Sequence, residues 1–272
     1  MKYNLKKLQN TICIIAREIK RICEKNNIDY VMYAGTVLGA VRHNGFIPWD
    51  DDMDFAMTRK NYDKFIECCK TDLSKEFFLL EWKHDPSYGN FFLKVMLRDT
   101  EAVSKGNSTA LYPKGIYVDI FPLDKTPENS LLRKRQKIIT YILLKLIFQK
   151  ENYNFEGIFT GWKKVANNTL HVFARPINRN NLIEQCEREM RRYNEKDTKT
   201  YSNVCGFYGY EKETYPNEWL EKTVSMKFED DIYKSFSNSN AYLEQLYGNY
   251  MQLPPVEERR THSFIKVDFG PY

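Results

Sequence analysis

Nothing in the 272 residues approaches the roughly 18 uninterrupted apolar residues that a membrane-spanning helix requires, which excludes helical insertion into a bilayer. A cleavable leader is missing too: the start MKYNLKKLQN is basic, but Arg17 and Glu18 interrupt the next apolar stretch before a small-residue cleavage site develops. Cysteine is sparse. The six (Cys13, Cys23, Cys68, Cys69, Cys186 and Cys205) include one adjacent pair and no C-x-x-C, so neither a disulfide framework nor a ribbon-type zinc site is expected. That usage fits a reducing, cytoplasmic setting. A large excess of one charge is also lacking, since 41 Lys+Arg against 36 Asp+Glu leave +5, too mild to name nucleic acid as the partner. No low-complexity tract or internal repeat appears, and 42 % hydrophobic with 28 % charged residues are globular proportions that exclude disorder. Aromatic residues are plentiful, at 15 % with 19 tyrosines, which suits a polar acceptor groove as well as ordinary packing.

Leu5, Leu8, Ile12, Ile15, Ile19 and Ile22 recur at spacings of three and four, the stripe of an amphipathic helix that ends near Asn26-Asn27. Ile28 to Ala34 reads as a short buried strand delivering the chain into a turn at Gly35-Thr36, with a helical turn or two over Val37 to His43. Asp52 to Met57 alternates acid with apolar at period two, so its acids share one face of a half-buried strand. Thr58 is positioned to cap a helix through Tyr62, Phe65 and Ile66. Further strands are expected at Phe77 to Trp82, Phe91 to Arg98 and Ile116 to Phe121. From Ser130 helical patterns dominate: residues 131–150, Trp162 to Phe173, Asn181 to Tyr193 and Asn240 to Met251, with a strand-like Thr223 to Phe228 between the last two. The expected class is α+β, with a catalytic core at residues 1–127 and a mainly helical lobe at 128–272 that completes the cleft.

Four carboxylates in five positions, Asp50, Asp51, Asp52 and Asp54, repel one another, and a nearby cation is the simplest remedy. Oxygen ligands without His or Cys favour Mg²⁺ or Mn²⁺ over zinc. An acidic surface turn is the plain alternative. An EF-hand is excluded, because Phe55 stands where its glycine is required and Asn61 where its bidentate glutamate belongs. The order strand, Gly35-Thr36, 15 residues, then Asp52-Met53-Asp54-Phe55 resembles the nucleotidyltransferase superfamily pattern, at slightly long spacing. In that pattern a glycine lets phosphates approach the backbone, and alternate strand residues present carboxylates to metal ions. Asp119, amid the apolar residues of Ile116 to Phe121, is the candidate third acid; an ion pair with a basic residue of the sheet is the competing role.

The run from Tyr33 to Asp54 (YAGTVLGAVRHNGFIPWDDDMD), the block Gly115 to Asp124 (GIYVDIFPLD) and the tail Leu246 to Pro255 (LYGNYMQLPP) resemble the LicD family. The resemblance implies a nucleotidyltransferase-like mixed sheet flanked by helices. It also implies transfer of phosphocholine or a related phospho-alcohol from a CDP-activated donor to a hydroxyl of a teichoic-acid, capsule or lipopolysaccharide precursor, the acceptor being a glycan or a lipid-linked glycan. The fukutin group of animal relatives uses CDP-ribitol and carries a cysteine-based zinc element that has no counterpart around Cys68-Cys69.

Residue by residue, the resemblance implies that Asp52, Asp54 and Asp119 are catalytic and hold Mg²⁺ together with Asp50, while Asp51 points away. The donor diphosphate would lie against Gly35 and Thr36, with Arg42, His43, Lys94 and Arg98 as candidate neutralising contacts. Trp49 is expected to pack, and His262 is a candidate aid to acceptor deprotonation. Residues 131–150 are basic and amphipathic, which suits contact with the anionic inner face of the cell membrane as well as packing on the core. Two other readings compete: transfer of NMP from an NTP, and a vestigial-site adaptor in glycan assembly.

Overall fold

In the computed structural model the residues described are 3–150, 176–259, 261 and 264–272. The helix expected over Trp162 to Phe173, and Arg260 and His262, lie outside them. The N-terminal stripe forms α1 (Leu5–Lys25), whose Leu8, Ile12, Ile15, Ile19 and Ile22 are all buried. Asn4 caps it by accepting a hydrogen bond from the Lys7 N–H at 3.0 Å. Burial of each such side chain contributes roughly 1.5–3 kcal/mol.

After α1 come β1 (Val31–Met32), α2 (Ala34–His43), β2 (Asp54–Thr58), α3 (Arg59–Asp72), β3 (Phe77–Leu80), β4 (Leu93–Leu97), β5 (Glu101–Ser104) and β6 (Tyr117–Lys125). The second half adds α4 (Ser130–Phe148), α5 (Arg179–Met190), β7 (Thr200–Ser202), β8 (Thr214–Pro216), the one-turn α6 (Glu218–Glu221), β9 (Val224–Phe228), β10 (Asp231–Ser235), α7 (Ser239–Tyr247) and β11 (Phe264–Asp268). The architecture is α+β. Its main sheet runs β1-β2-β6-β4-β3, with β7 on the far end of β6 and β8 beyond it. Only β2 and β6 run parallel there; the other pairs are antiparallel. A β9–β10 hairpin and a β5–β11 ribbon complete the strands among the described residues.

Four local expectations shift. The first strand is only Val31–Met32, because the chain reverses at Ala34, whose φ of 44° lies in the left-handed region. Gly35-Thr36 therefore sits inside the first turn of α2 rather than in a turn ahead of it. Ladder pairing in β2 starts at Asp54, so Asp52 lies just before the strand, although burial still alternates from Asp52 through Phe55. Thr58 does precede α3, but its side chain makes no capping hydrogen bond. On α4, Leu131, Ile138, Tyr141 and Ile142 are exposed, while Arg135 and Lys137 pair with Glu189 and Glu211.

The junction of α3, β6 and α5 is held by a buried ion pair. Arg59 Nε and Nη2 donate to Asp124 Oδ1 and Oδ2 at 2.8 and 2.6 Å, and Asn194 Nδ2 adds a 2.6 Å bond to Oδ1. Both charged residues are buried. Removing one partner leaves the other desolvated. Arg59→Ala should therefore lower the unfolding free energy by about 3–5 kcal/mol, read as a drop in the urea midpoint, whereas Arg59→Met combined with Asp124→Leu should recover most of that loss.

Candidate active site

The left-handed residue at Ala34 lets the backbone leave β1 and enter α2 within one step, and hydrogen bonds hold that reversal. The Tyr33 N–H donates to the Asp54 carbonyl at 2.9 Å, and the Ala34 N–H donates to Tyr242 Oη at 2.8 Å. Thr36 is buried, and its Oγ1 accepts the Asp54 N–H at 2.8 Å, which ties the helix start to β2. Gly35 borders the resulting cavity. A Cβ there would lie 3.1 Å from Asp50 Oδ2, so glycine keeps the approach to that carboxylate open.

The parallel pairing of β2 with β6 puts Asp54 opposite Asp119, and the antiparallel pairing of β6 with β4 puts Lys94 beside Asp119. Asp50, Asp52, Asp54 and Asp119 line one cavity of about 310 Å³. Carboxylate oxygens of Asp50, Asp51 and Asp52 also lie within 4.8 Å of one another. Asp51 turns inward, only 1 % exposed, and accepts a 2.6 Å hydrogen bond from the Tyr3 hydroxyl. Four carboxylates on one small cavity repel one another, and their oxygen-only donor set fits Mg²⁺ or Mn²⁺.

Several candidates sit elsewhere than expected. Lys94 is a buried counter-ion, with Nζ 2.6 Å from Asp119 Oδ1 and 3.4 Å from the centre of the Tyr117 ring. The sheet ion pair raised as a competing role for Asp119 is thus present, on a residue that also faces the cavity. Arg42 and His43 occupy the last turn of α2, about 10 Å along the helix axis from Gly35. There Arg42 Nε donates to His43 Nε2 at 3.0 Å and Nη1 donates to the Tyr250 carbonyl at 2.8 Å. Burial and the Arg42 charge lower the His43 pKa below its usual range. Arg98 lies just past the end of β4, where Nε donates to the Phe77 carbonyl at 3.2 Å and the guanidinium covers the Phe78 ring. A helix axis and a strand direction carry these residues off the cavity, a displacement that a linear spacing conceals. Trp49 packs under Arg259, whose guanidinium is 4.4 Å from the ring centre.

The remainder of the cavity was not anticipated. Tyr33, Phe121, Asn203, Phe207, Tyr208 and Glu213 line it. Four of these come from the β7–β8 connection, a segment rich in tyrosine and glycine but without an acid-apolar pattern to announce it. Glu213 is 1 % exposed and accepts from the Tyr33 hydroxyl at 2.5 Å and the Tyr208 N–H at 2.7 Å. Burial pushes its carboxyl up from the ordinary value of 4.5. The folded protein thus holds this proton more tightly than the unfolded chain does. The associated stability is complete below the unfolded value and is lost as pH rises through the raised folded one. Glu213→Gln should consequently gain stability relative to wild type as pH rises from about 4.5 to about 7, measured by urea unfolding across that series.

Residues 27–160 match the family described as LicD/FKTN/FKRP, nucleotidyltransferase domain. The lipopolysaccharide cholinephosphotransferase LicD of Haemophilus influenzae is 27 % identical over 263 residues, which cover 93 % of this chain and 94 % of that protein. An uncharacterised protein of Rickettsia prowazekii is 28 % identical over 138 residues, or 43 % of this chain and 46 % of that one. The helix start at Gly35-Thr36 and all four cavity aspartates fall inside the matched segment, so residues 27–160 form a LicD-family domain.

Proposed function

We propose that the protein transfers phosphocholine, or a related phospho-alcohol, from a CDP-activated donor to a hydroxyl of a cell-surface glycan precursor, releasing CMP. The carrying observation is the acid-lined cavity at the start of α2, in a chain similar along nearly its whole length to a lipopolysaccharide cholinephosphotransferase. Asp50, Asp52, Asp54 and Asp119 would hold Mg²⁺ or Mn²⁺. When bound, that ion neutralises the donor diphosphate and lowers the effective pKa of the acceptor hydroxyl.

The chain's own groups have the remaining tasks. Gly35 leaves room for phosphate beside the backbone, and the N-terminal end of the ten-residue α2 presents its positive dipole there. Lys94 fixes the Asp119 carboxylate through its 2.6 Å contact. The acceptor oxygen attacks the phosphorus that bears the alcohol, and its proton passes to the carboxylate of Asp54 or Asp119. The bond from that phosphorus to the CMP oxygen breaks, and CMP departs with the electron pair.

The reading is tested by CMP release from CDP-choline with lipopolysaccharide lacking phosphocholine as acceptor. Wild type should require added Mg²⁺ or Mn²⁺ and lose activity on chelation. Asp52→Ala and Asp54→Ala should each reduce turnover by more than about a hundredfold while unfolding at or above the wild-type temperature in the absence of metal, because a repelling charge has been removed. Near-wild-type CMP release by either variant would overturn the site assignment. A panel of CDP-choline, CDP-ribitol, CDP-glycerol, CTP and ATP identifies the donor by thermal stabilisation, about 2.7 kcal/mol for a ligand at 100 times its Kd. Stabilisation by CTP or ATP alone, with pyrophosphate release, would replace this reading by nucleotidyl transfer.

A further inference from the structure

The cavity lining is chemically mixed: Asp50, Asp52, Asp54 and Asp119 contribute carboxylates, Tyr33, Phe121, Phe207 and Tyr208 contribute aromatic rings, and the β7–β8 connection supplies Phe207, Tyr208 and Glu213. We propose that Phe207, Tyr208 and Glu213 form a subsite for a quaternary ammonium group, the cationic head of the alcohol being transferred. The inference rests on the phosphotransfer reading above and deepens it by naming the residues that select the head group.

Phe207 is 82 % exposed, the most exposed of the large hydrophobic residues among the described residues. It therefore contributes little to the core while bordering an acidic cavity. Beside it, Tyr208 meets Tyr247 at right angles, with ring centres 5.4 Å apart, an interplanar angle of 85° and hydroxyls 2.9 Å apart. That contact fixes the position of the Tyr208 ring. Aromatic faces attract cations through the ring quadrupole, and a quaternary ammonium, which has no N–H to donate, is bound in this way.

Glu213 supplies the charge. Its carboxylate is buried, and its hydrogen-bond partners are the neutral Tyr33 hydroxyl, the Tyr208 N–H and the Asn203 side chain. Among the described residues no lysine or arginine pairs with it, in contrast to buried Asp119 and Asp124. The loop is shaped to admit this group: a Cβ on Gly206 would collide with the Glu213 carboxylate, so only glycine lets the loop close over it. A buried carboxylate whose neutral partners do not offset its desolvation, next to aromatic rings, attracts a cation too bulky and too poor in hydrogen-bond donors for an ordinary ion pair. A neutral polyol head would lack this electrostatic attraction.

Calorimetric titration of the full chain in Mg²⁺ tests the subsite. The probes are CDP-choline, its neutral carbon isostere CDP-3,3-dimethylbutanol, CDP-glycerol and CMP. Wild type should bind CDP-choline at least tenfold more tightly than the isostere. Phe207→Ala, at an exposed position that cannot compromise folding, and Glu213→Gln should each weaken CDP-choline about tenfold, which corresponds to about 1.4 kcal/mol, and leave CMP affinity unchanged. Equal affinity of wild type for CDP-choline and the isostere, or unchanged CDP-choline affinity in Phe207→Ala, would overturn the subsite and leave the phosphotransfer reading standing. Binding of CDP-glycerol but not CDP-choline by wild type would overturn the ammonium subsite together with the choline donor. Failure to bind any CDP-alcohol would remove the reading on which both rest.

Discussion

Carboxylates held side by side against their repulsion are the constraint around which this molecule is arranged. Parallel pairing of β2 and β6 sets Asp54 opposite Asp119, and the backbone itself maintains that placement, since the Asp119 N–H donates to the Met53 carbonyl at 3.2 Å. Lys94 then offsets part of the charge from the neighbouring strand, from a position buried against aromatic rings where its ammonium is strongly felt. Thr36 and Tyr33 join the start of α2 to the same strand through the Asp54 backbone. The acids are thus fixed by main-chain bonds on several sides, so their spacing does not depend on the side chains finding a comfortable arrangement of their own.

A cluster of aromatic residues links this centre to the C-terminal part of the chain. Tyr33 packs against Phe121, Tyr215, Phe236 and Tyr242, and Phe236 stacks on Tyr242 with ring centres 4.1 Å apart. Tyr242, on α7, accepts the Ala34 N–H and so supports the left-handed residue that aims α2 at the cavity. Tyr33 also reaches Glu213 and Tyr215 through its hydroxyl. The site is consequently a product of both halves of the sequence, with the aspartates, Tyr33 and Phe121 contributed before residue 127 and Asn203, Phe207, Tyr208 and Glu213 after it.

Much of the acidic half was legible beforehand because its signals are local. The alternation Asp52-Met53-Asp54-Phe55 reports a buried face directly, and a lone acid within Ile116 to Phe121 calls for a partner whatever the fold. Arg42, His43 and Arg98 illustrate the opposite case. Arg42 and His43 follow Gly35-Thr36 closely in sequence and Arg98 lies four residues beyond Lys94, but all three stand at the far ends of their elements, away from the cavity. The β5–β11 ribbon was invisible for a related reason, since its strands lie far apart along the chain and neither announces the other.

By itself the sequence determined the helical stripe of α1, the central strands, the oxygen-only cluster of acids and, through three blocks of resemblance, the LicD family. These follow from periodicity, charge and order, which are properties of neighbouring residues. Tertiary structure alone decided that Lys94 serves Asp119, that Asp51 turns inward to Tyr3, and that the β7–β8 connection returns to face the aspartates with Phe207, Tyr208 and Glu213. Those outcomes depend on strand register and on the path of a loop between distant segments. Such contacts are set by how the whole chain packs, and no local pattern of residues encodes them.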